Sequence, residues 1–410
     1  SGAVQFIPER TLSLERGKVY RVRGWLRGDV GPVALQLRQR PSPYRVYVEH
    51  SADACDEWRQ VEYFWTSPLD DPKALFMVRF VSEGTLRVDG LSVQEVTEEE
   101  AARLAPPPEP GNLLANGRFD LDLANWLIGH GCDYWSEAQL SIEQVEGNPC
   151  LKLTVPEGVH VSLASDVVPV APGHPVYLSS RLRASAATTV TLGTTYCGSR
   201  PELTTDWQTV TAEGRTRYSP VATDHVRLSV RGPATLWIDD VVLSQDRPVN
   251  SRDCFRAAVL SDRHPLSLYH DGDRPALRLL ASTPPSQTPQ HVAWSVEDFW
   301  GNTRLSGDWL PETGRSTKPL PVKSLGRGWY RATVVYGDEE SLRHESTFVI
   351  LPPPERSSDV AASPCGAHFA VDPSGLALAR AVGCRWLRLH PPHHTTWRIV
   401  EPREKGRWHW

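Results

Sequence analysis

GKVYRVRGWLR at residues 17–27 and GHPVYLSSRLR at residues 173–183 are two versions of one strand. In each, a glycine turn feeds an apolar-polar alternation that ends on Leu-Arg. The likeness continues in the same order. Asp56-Glu57-Trp58-Arg59-Gln60-Val61 answers to Thr205-Asp206-Trp207-Gln208-Thr209-Val210, and TLRVDGLSV at 85–93 answers to TLWIDDVVL at 235–243. Three matches at nearly constant offset mark an internal duplication, the signature of repeated structural units. The unit has the logic of a sandwich. A turn at Gly17 or Gly173 leads into an alternating strand, and an acidic turn leads into the Trp58 or Trp207 strand. A closing strand then sets Leu86 and Val88, or Leu236 and Ile238, on one face.

The rest of the composition points the same way. The 410 residues include 35 prolines and 29 glycines, with short valine-, leucine-, threonine- and tyrosine-rich runs between turn residues. That pattern predicts a mainly β protein of several domains. A formal charge of −5 gives no electrostatic footprint for nucleic acid or an anionic membrane, and no apolar run approaches the roughly 18 residues of a spanning helix. Seven cysteines fit no zinc spacing. Cys132 and Cys150 are either a bridge in an exported protein or two buried thiols. Tryptophan is the unusual number, at 15. Most of these rings belong to cores, but flat apolar faces edged by polar groups also suit the C–H faces of sugars.

The expected organisation is a sandwich at 1–97, a charged and proline-rich linker at 98–111 (EEEAARLAPPPEPG), and a second sandwich at 112–245. The second copy opens NLLANGRFDLDLANW (112–126). With the Asp206-Trp207 turn and the terminal IDDVVL, this opening resembles carbohydrate-binding modules of the family 4/9 type. The resemblance implies a β-jelly roll that binds glycans, with Phe119 and Trp126 in its core. It covers 112–245 well and 1–97 less well, because the first copy lacks the NGxF…W opening. It also implies a structural calcium between Asp120 and Asp239 or Asp240, where hard oxygen ligands from both chain ends meet. Tyr134, Trp135 and Tyr196 are the candidates for sugar stacking in the second copy, with Tyr44, Tyr47 and Trp65 in the first. Each has packing as its plainer alternative.

Residues 250–352 carry strands spaced like those of an immunoglobulin-like sandwich: RPALRLLAS (274–282), HVAWSVEDFWGN (291–302), GRGWYRATVVYG (326–337) and HESTFVILPPP (344–354). Trp294 and Val296 alternate inward, and Asp298 to Asn302 makes a turn. GRGWYRATV resembles a strand of accessory β-domains found upstream of glycosidase barrels, so a spacer is expected here.

After a second proline-rich linker at 353–364, the period changes. CGAHFAVD (365–372), SGLALARAVGC (374–384) and RWLRLHPP (385–392) read as strand, helix and strand, the repeat from which a parallel barrel is built. Together with the ending TTWRIVEPREKGRWHW (395–410), this resembles the start of a (β/α)8 glycoside hydrolase of the retaining family 39 and family 5 kind. Such enzymes need two carboxylates roughly 5 Å apart, and the resemblance implies that both glutamates lie beyond Trp410. On this expectation the chain alone is inactive and the protein continues, with a C-terminal catalytic portion as partner. Arg388 matches the arginine beside the nucleophile, His390 and His368 belong to the same rim, and Trp397 flanks a sugar subsite. Glu401 reads as a surface carboxylate. The reading is therefore the glycan-targeting portion of a secreted glycoside hydrolase, with polysaccharide as its partner. The alternative is a non-catalytic extracellular adhesion or surface protein.

Overall fold

The computed structural model describes residues 3–105, 107–109, 111–128, 138–246, 255–264, 267–337 and 342–353. Beyond these it describes only 366–367, 379–380, 382, 384 and 386–387. The chain is mainly β, in three successive two-sheet units whose strands pair antiparallel, except that Leu268–His270 runs parallel to Arg343–Leu351 in the third.

In the first unit, Val19–Gly28 lies between Arg59–Thr66 and Leu86–Val96. The facing sheet orders Val4–Phe6, Asp71–Phe80, Val33–Arg38 and Val46–Ala52, with Leu12–Leu14 beside Asp71–Phe80. The second unit repeats the first arrangement: Pro175–Ala184 lies between Gln208–Arg215 and Ala234–Ser244, and Asn148–Val155 and Gln139–Val145 extend that sheet. The duplication holds in register. The pairing slips between Arg23 and Trp25 so that Trp25 faces Asp89, and it slips between Ser179 and Arg181 so that Arg181 faces Asp239. The residue after each aspartate is left-handed, Gly90 at φ 58° and Asp240 at φ 46°. A bulge of this kind is a designed feature that re-aims side chains.

Alternation supplies the cores. Val176, Leu178, Leu182 and Ala184 point inward from one strand of the second unit, and Leu236, Ile238, Val241 and Leu243 from its neighbour. In the third unit Trp294 and Val296 are buried as expected. Asp298 builds the following turn, its Oδ1 accepting N–H groups from Trp300 and Asn302 at 2.9 and 3.0 Å.

The 98–111 segment is more structured than a linker. Glu98–Leu104 is a helix capped by Thr97, whose hydroxyl accepts the Glu100 N–H at 3.1 Å. Ala101 is buried with Val19, Phe64 and Tyr218, so the helix is pinned between the first two units. Tyr218 also exchanges hydrogen bonds with Thr66. A second apolar cluster, Leu121 and Ala124 with Ala258, Leu260 and Leu280, joins the second and third units. Near the end of the chain, Gly366–Ala367 pairs in parallel with Trp386–Leu387, and Ala379 and Arg380 are helical.

Candidate functional site

The NGRF opening of the second unit is a structural lock. Asn116 is buried, and its Nδ2 donates to the carbonyls of Asp122 and Ala124, both at 2.8 Å. Its Oδ1 accepts the Leu121 N–H at 3.0 Å, and its backbone carbonyl accepts the Trp126 indole N–H at 2.8 Å. One amide side chain thus satisfies three backbone groups of a tight loop, as buried polar groups require. Asn112 ties the same opening to the last strand, donating to the Val241 carbonyl at 2.9 Å and accepting from Leu243 at 3.0 Å. Gly117 is needed at the crossing, because a Cβ there would sit 1.9 Å from the Val241 carbonyl oxygen. Phe119 and Trp126 pack with centroids 5.3 Å apart, almost wholly buried. They are core residues.

Asp120, Asp239 and Asp240 are brought together from both ends of the unit, around one cavity of about 250 Å³. Asp239 is buried, and burial with the neighbouring Asp240 charge pushes its carboxyl up to about 6. Its Oδ1 accepts the Asp240 N–H at 2.8 Å. Two features do not fit a calcium ion. Arg118 and Arg315 line the same cavity, and Arg181 pairs with Asp240 at 3.7 Å. Among the described residues, moreover, no three His, Cys, Asp or Glu side chains stand together as a metal-ligand set.

The aromatic candidates among the described residues do not assemble into one surface. Trp65 is the clear correction: it is 5% exposed and lies in the first core, its ring 6.2 Å from Tyr20. Tyr47 is half-buried, and its hydroxyl donates to Asp71 at 2.8 Å; burial and that acidic partner hold it up at about 12. Tyr196 packs partly buried against the second core, and burial raises its hydroxyl. Among the described candidates only Tyr44 presents an open ring. It is 56% exposed, with the Arg38 guanidinium 5.7 Å from its centroid. Tyr134, Trp135, His368, Arg388, His390 and Trp397 lie outside the described residues.

Sequence reading missed a ladder on the outer sheet of the second unit. Arg183 lies over both Trp207 and Trp237, at 5.0 and 4.6 Å, with Arg181 over Trp207 and Lys152 over Trp237. The pairing of Arg183 with Trp237 across two strands is what brings them together. It also missed the Phe299-Trp300 tip of the third unit, where Trp300 is 82% exposed on the turn that Asp298 holds.

No protein-family model and no curated protein matches the chain. Solved structures do resemble parts of it. A CBM4 structure matches 23% of this chain and 73% of its own at 20% identity and a TM-score of 0.21. The N-terminal CBM22-1-CBM22-2 tandem domain of Paenibacillus barcinonensis Xyn10C matches 58% of this chain and 82% of its own, at 12% identity and a TM-score of 0.26. The N-terminal cellulose-binding domain of Cellulomonas fimi β-1,4-glucanase C covers 32% of this chain and 96% of its own at 20% identity and a TM-score of 0.26. Likenesses at these TM-scores place no ligand and no chemistry on this chain.

Proposed function

We propose that the chain is the carbohydrate-binding portion of an exported, polysaccharide-degrading glycoside hydrolase. The observation that supports this reading best is the closure of the second unit. The NGRF loop, organised by Asn116, is clamped onto the IDDVVL strand, with Phe119 and Trp126 as its core. Those are the residues on which the resemblance to carbohydrate-binding modules rests. In this reading the two duplicated sandwiches hold or position glycan and the third unit, an immunoglobulin-like spacer, separates them from a barrel begun near residue 365. Hydrolysis belongs to a C-terminal catalytic portion, with Arg388, His390 and His368 at its rim and Trp397 beside a subsite. Tyr44, Tyr134, Trp135 and Tyr196 are the stacking candidates.

Affinity electrophoresis through gels containing soluble xylan, β-glucan, galactan or pectin tests the binding. Retardation by at least one polysaccharide, with confirming heats from matching oligosaccharides, is expected. Uniform mobility in every gel and no heat would refute the reading. A structural scaffold is the second reading, and one observation favours it: packed contacts join successive units at Tyr218 and at Leu121 and Leu280. Unaltered mobility together with one cooperative unfolding transition for all three units would select the scaffold.

A further inference from the structure

A pocket of about 260 Å³ opens between the second and third units. It is built by residues from distant parts of the chain. The NGRF loop supplies Arg118 and Asp120, and the third unit supplies Arg256, Thr283, Pro284 and Arg315. The two sides are bonded to each other at its edge, where Arg315 Nε donates to the Asp120 carbonyl at 3.0 Å and Arg278 pairs with Asp122 at 2.6 Å. The shared apolar cluster of Leu121, Ala124, Ala258, Leu260 and Leu280 fixes the junction. The pocket is thus a feature of two units held in one geometry.

Its chemistry is one-sided. Three arginines face one aspartate, Asp120. Arg256 is half-buried and, among the described residues, its guanidinium makes no hydrogen bond or ion pair. Thr283 is 1% exposed, and its buried hydroxyl has no hydrogen-bond partner. A buried hydroxyl left unpaired is rare in native proteins and calls for a partner. A guanidinium fork matches a carboxylate in two parallel hydrogen bonds. The Pro284 ring offers an apolar wall beside these donors. The volume lies below the roughly 300–1,000 Å³ of sites for drug-sized ligands, so it suits one sugar ring rather than a long chain.

We propose that this junction pocket binds the carboxylate-bearing sugar unit of an acidic oligosaccharide. Arg256 and Arg315 grip the carboxylate, and Thr283 pairs with a ring hydroxyl or the carboxylate edge. The inference rests on the carbohydrate-binding reading and narrows it to uronate-containing glycans for this site.

Calorimetric titration of the whole 410-residue chain with a uronic acid trisaccharide, its neutral counterpart and sodium acetate tests it. The acidic trisaccharide is expected to bind at least about 10-fold more tightly than the neutral one, as hydrogen bonds to charged groups allow. Arg256→Gln should remove most of that preference, bringing the acidic and neutral affinities to within a few-fold of each other. Thr283→Val, nearly isosteric, should weaken the acidic ligand several-fold. If Arg256→Gln does not fold, judged by its circular dichroism melt, Arg315→Gln carries the same test. Equal affinity for acidic and neutral sugars overturns the inference but spares the carbohydrate reading. An acidic preference that survives Arg256→Gln overturns the site. Competition by acetate at the concentration of the uronate marks an anion pocket without sugar recognition, and also overturns it. Heat from neither sugar overturns the inference, and the carbohydrate reading falls with it only when every polysaccharide gel also shows uniform mobility.

Discussion

Replacing Asp239 by asparagine should stabilise the second unit at neutral and alkaline pH. Asp239 is buried on the last strand beside Asp240, and its carboxyl rises from an ordinary 3.8 to about 6. The folded state therefore holds the proton more firmly than the unfolded chain does. For a carboxyl raised in this way, the stabilisation is complete below about pH 3.8 and is lost as pH rises through about 6. At ~1.36 kcal/mol per pH unit, the ionised group costs the fold about 3 kcal/mol at pH 8. Asparagine keeps an oxygen to accept the Asp240 N–H but carries no charge. It gives up attraction to Arg181, which retains Asp240 at 3.7 Å. A net gain of about 1–2 kcal/mol remains.

The assay is urea unfolding of wild type and Asp239→Asn between pH 4 and pH 8, each with EDTA and with calcium. The difference between the two proteins isolates this one group from every other titration. It should be small near pH 4 and grow to its full value by about pH 7. The result that refutes the reasoning is a variant less stable than wild type in calcium, with wild type itself weakened by EDTA. That outcome would place a cation on Asp239, against the arginine-lined cavity described above, and restore the calcium expected from the sequence.

Three further perturbations test the packing. Burial pushes His344 down to about 4, and its Nδ1 accepts the Val259 N–H at 3.2 Å. Its contribution is therefore whole above about pH 6.5 and lost as pH falls through about 4. The acid loss should reach up to about 3 kcal/mol in wild type and be absent in His344→Gln, read from melting curves across that window with Asp166, His264 and Glu345 left in place. Gly117→Ala should cost more than about 2 kcal/mol, because the new methyl meets the Val241 carbonyl; soluble yield and the melting temperature report it. Leu280→Ala empties part of the junction between the second and third units and should cost about 2–3 kcal/mol. Hydrogen exchange should then speed up at Leu121, Ala124 and Leu260 ahead of the first unit, and unchanged protection there would contradict the shared core.

How much of this was legible in the sequence depends on range. Alternation is local, so the mainly β fold, the inward Trp294 and Val296 and the Asp298–Asn302 turn could be read directly. The core roles of Phe119 and Trp126 were legible through the NGRF resemblance. Contacts made between units were not. Tyr63, Phe64 and Trp65 are all buried, because Phe64 is covered by Ala101 and Tyr218 while Tyr63 and Trp65 face the first core. Alternation predicts one exposed face, and a second unit removes it. The helix at Glu98–Leu104 was hidden in the same way, since its buried side is a single alanine. The junction pocket joins Arg118, Arg256, Thr283 and Arg315, residues that no short motif connects.

The duplication explains why the two copies present different surfaces. At the shared bulge the first copy places Trp25 opposite Asp89, and the indole lies over Gly90, where a Cβ would come within 3.3 Å of the ring. The second copy has Arg181 in the place of Trp25 and Asp240 in the place of Gly90. The ring over a glycine has become an ion pair at 3.7 Å, with both residues changed together. The neighbouring tryptophans follow. Trp58 and Trp25 are each 42% exposed in the first copy, whereas Trp207 lies beneath Arg181 and Arg183 in the second. A guanidinium over an indole satisfies the ring face that a sugar would otherwise cover. The same backbone device therefore leaves open indoles on one copy and closes them on the other, so aromatic count alone could not tell which copy has faces to offer a ligand.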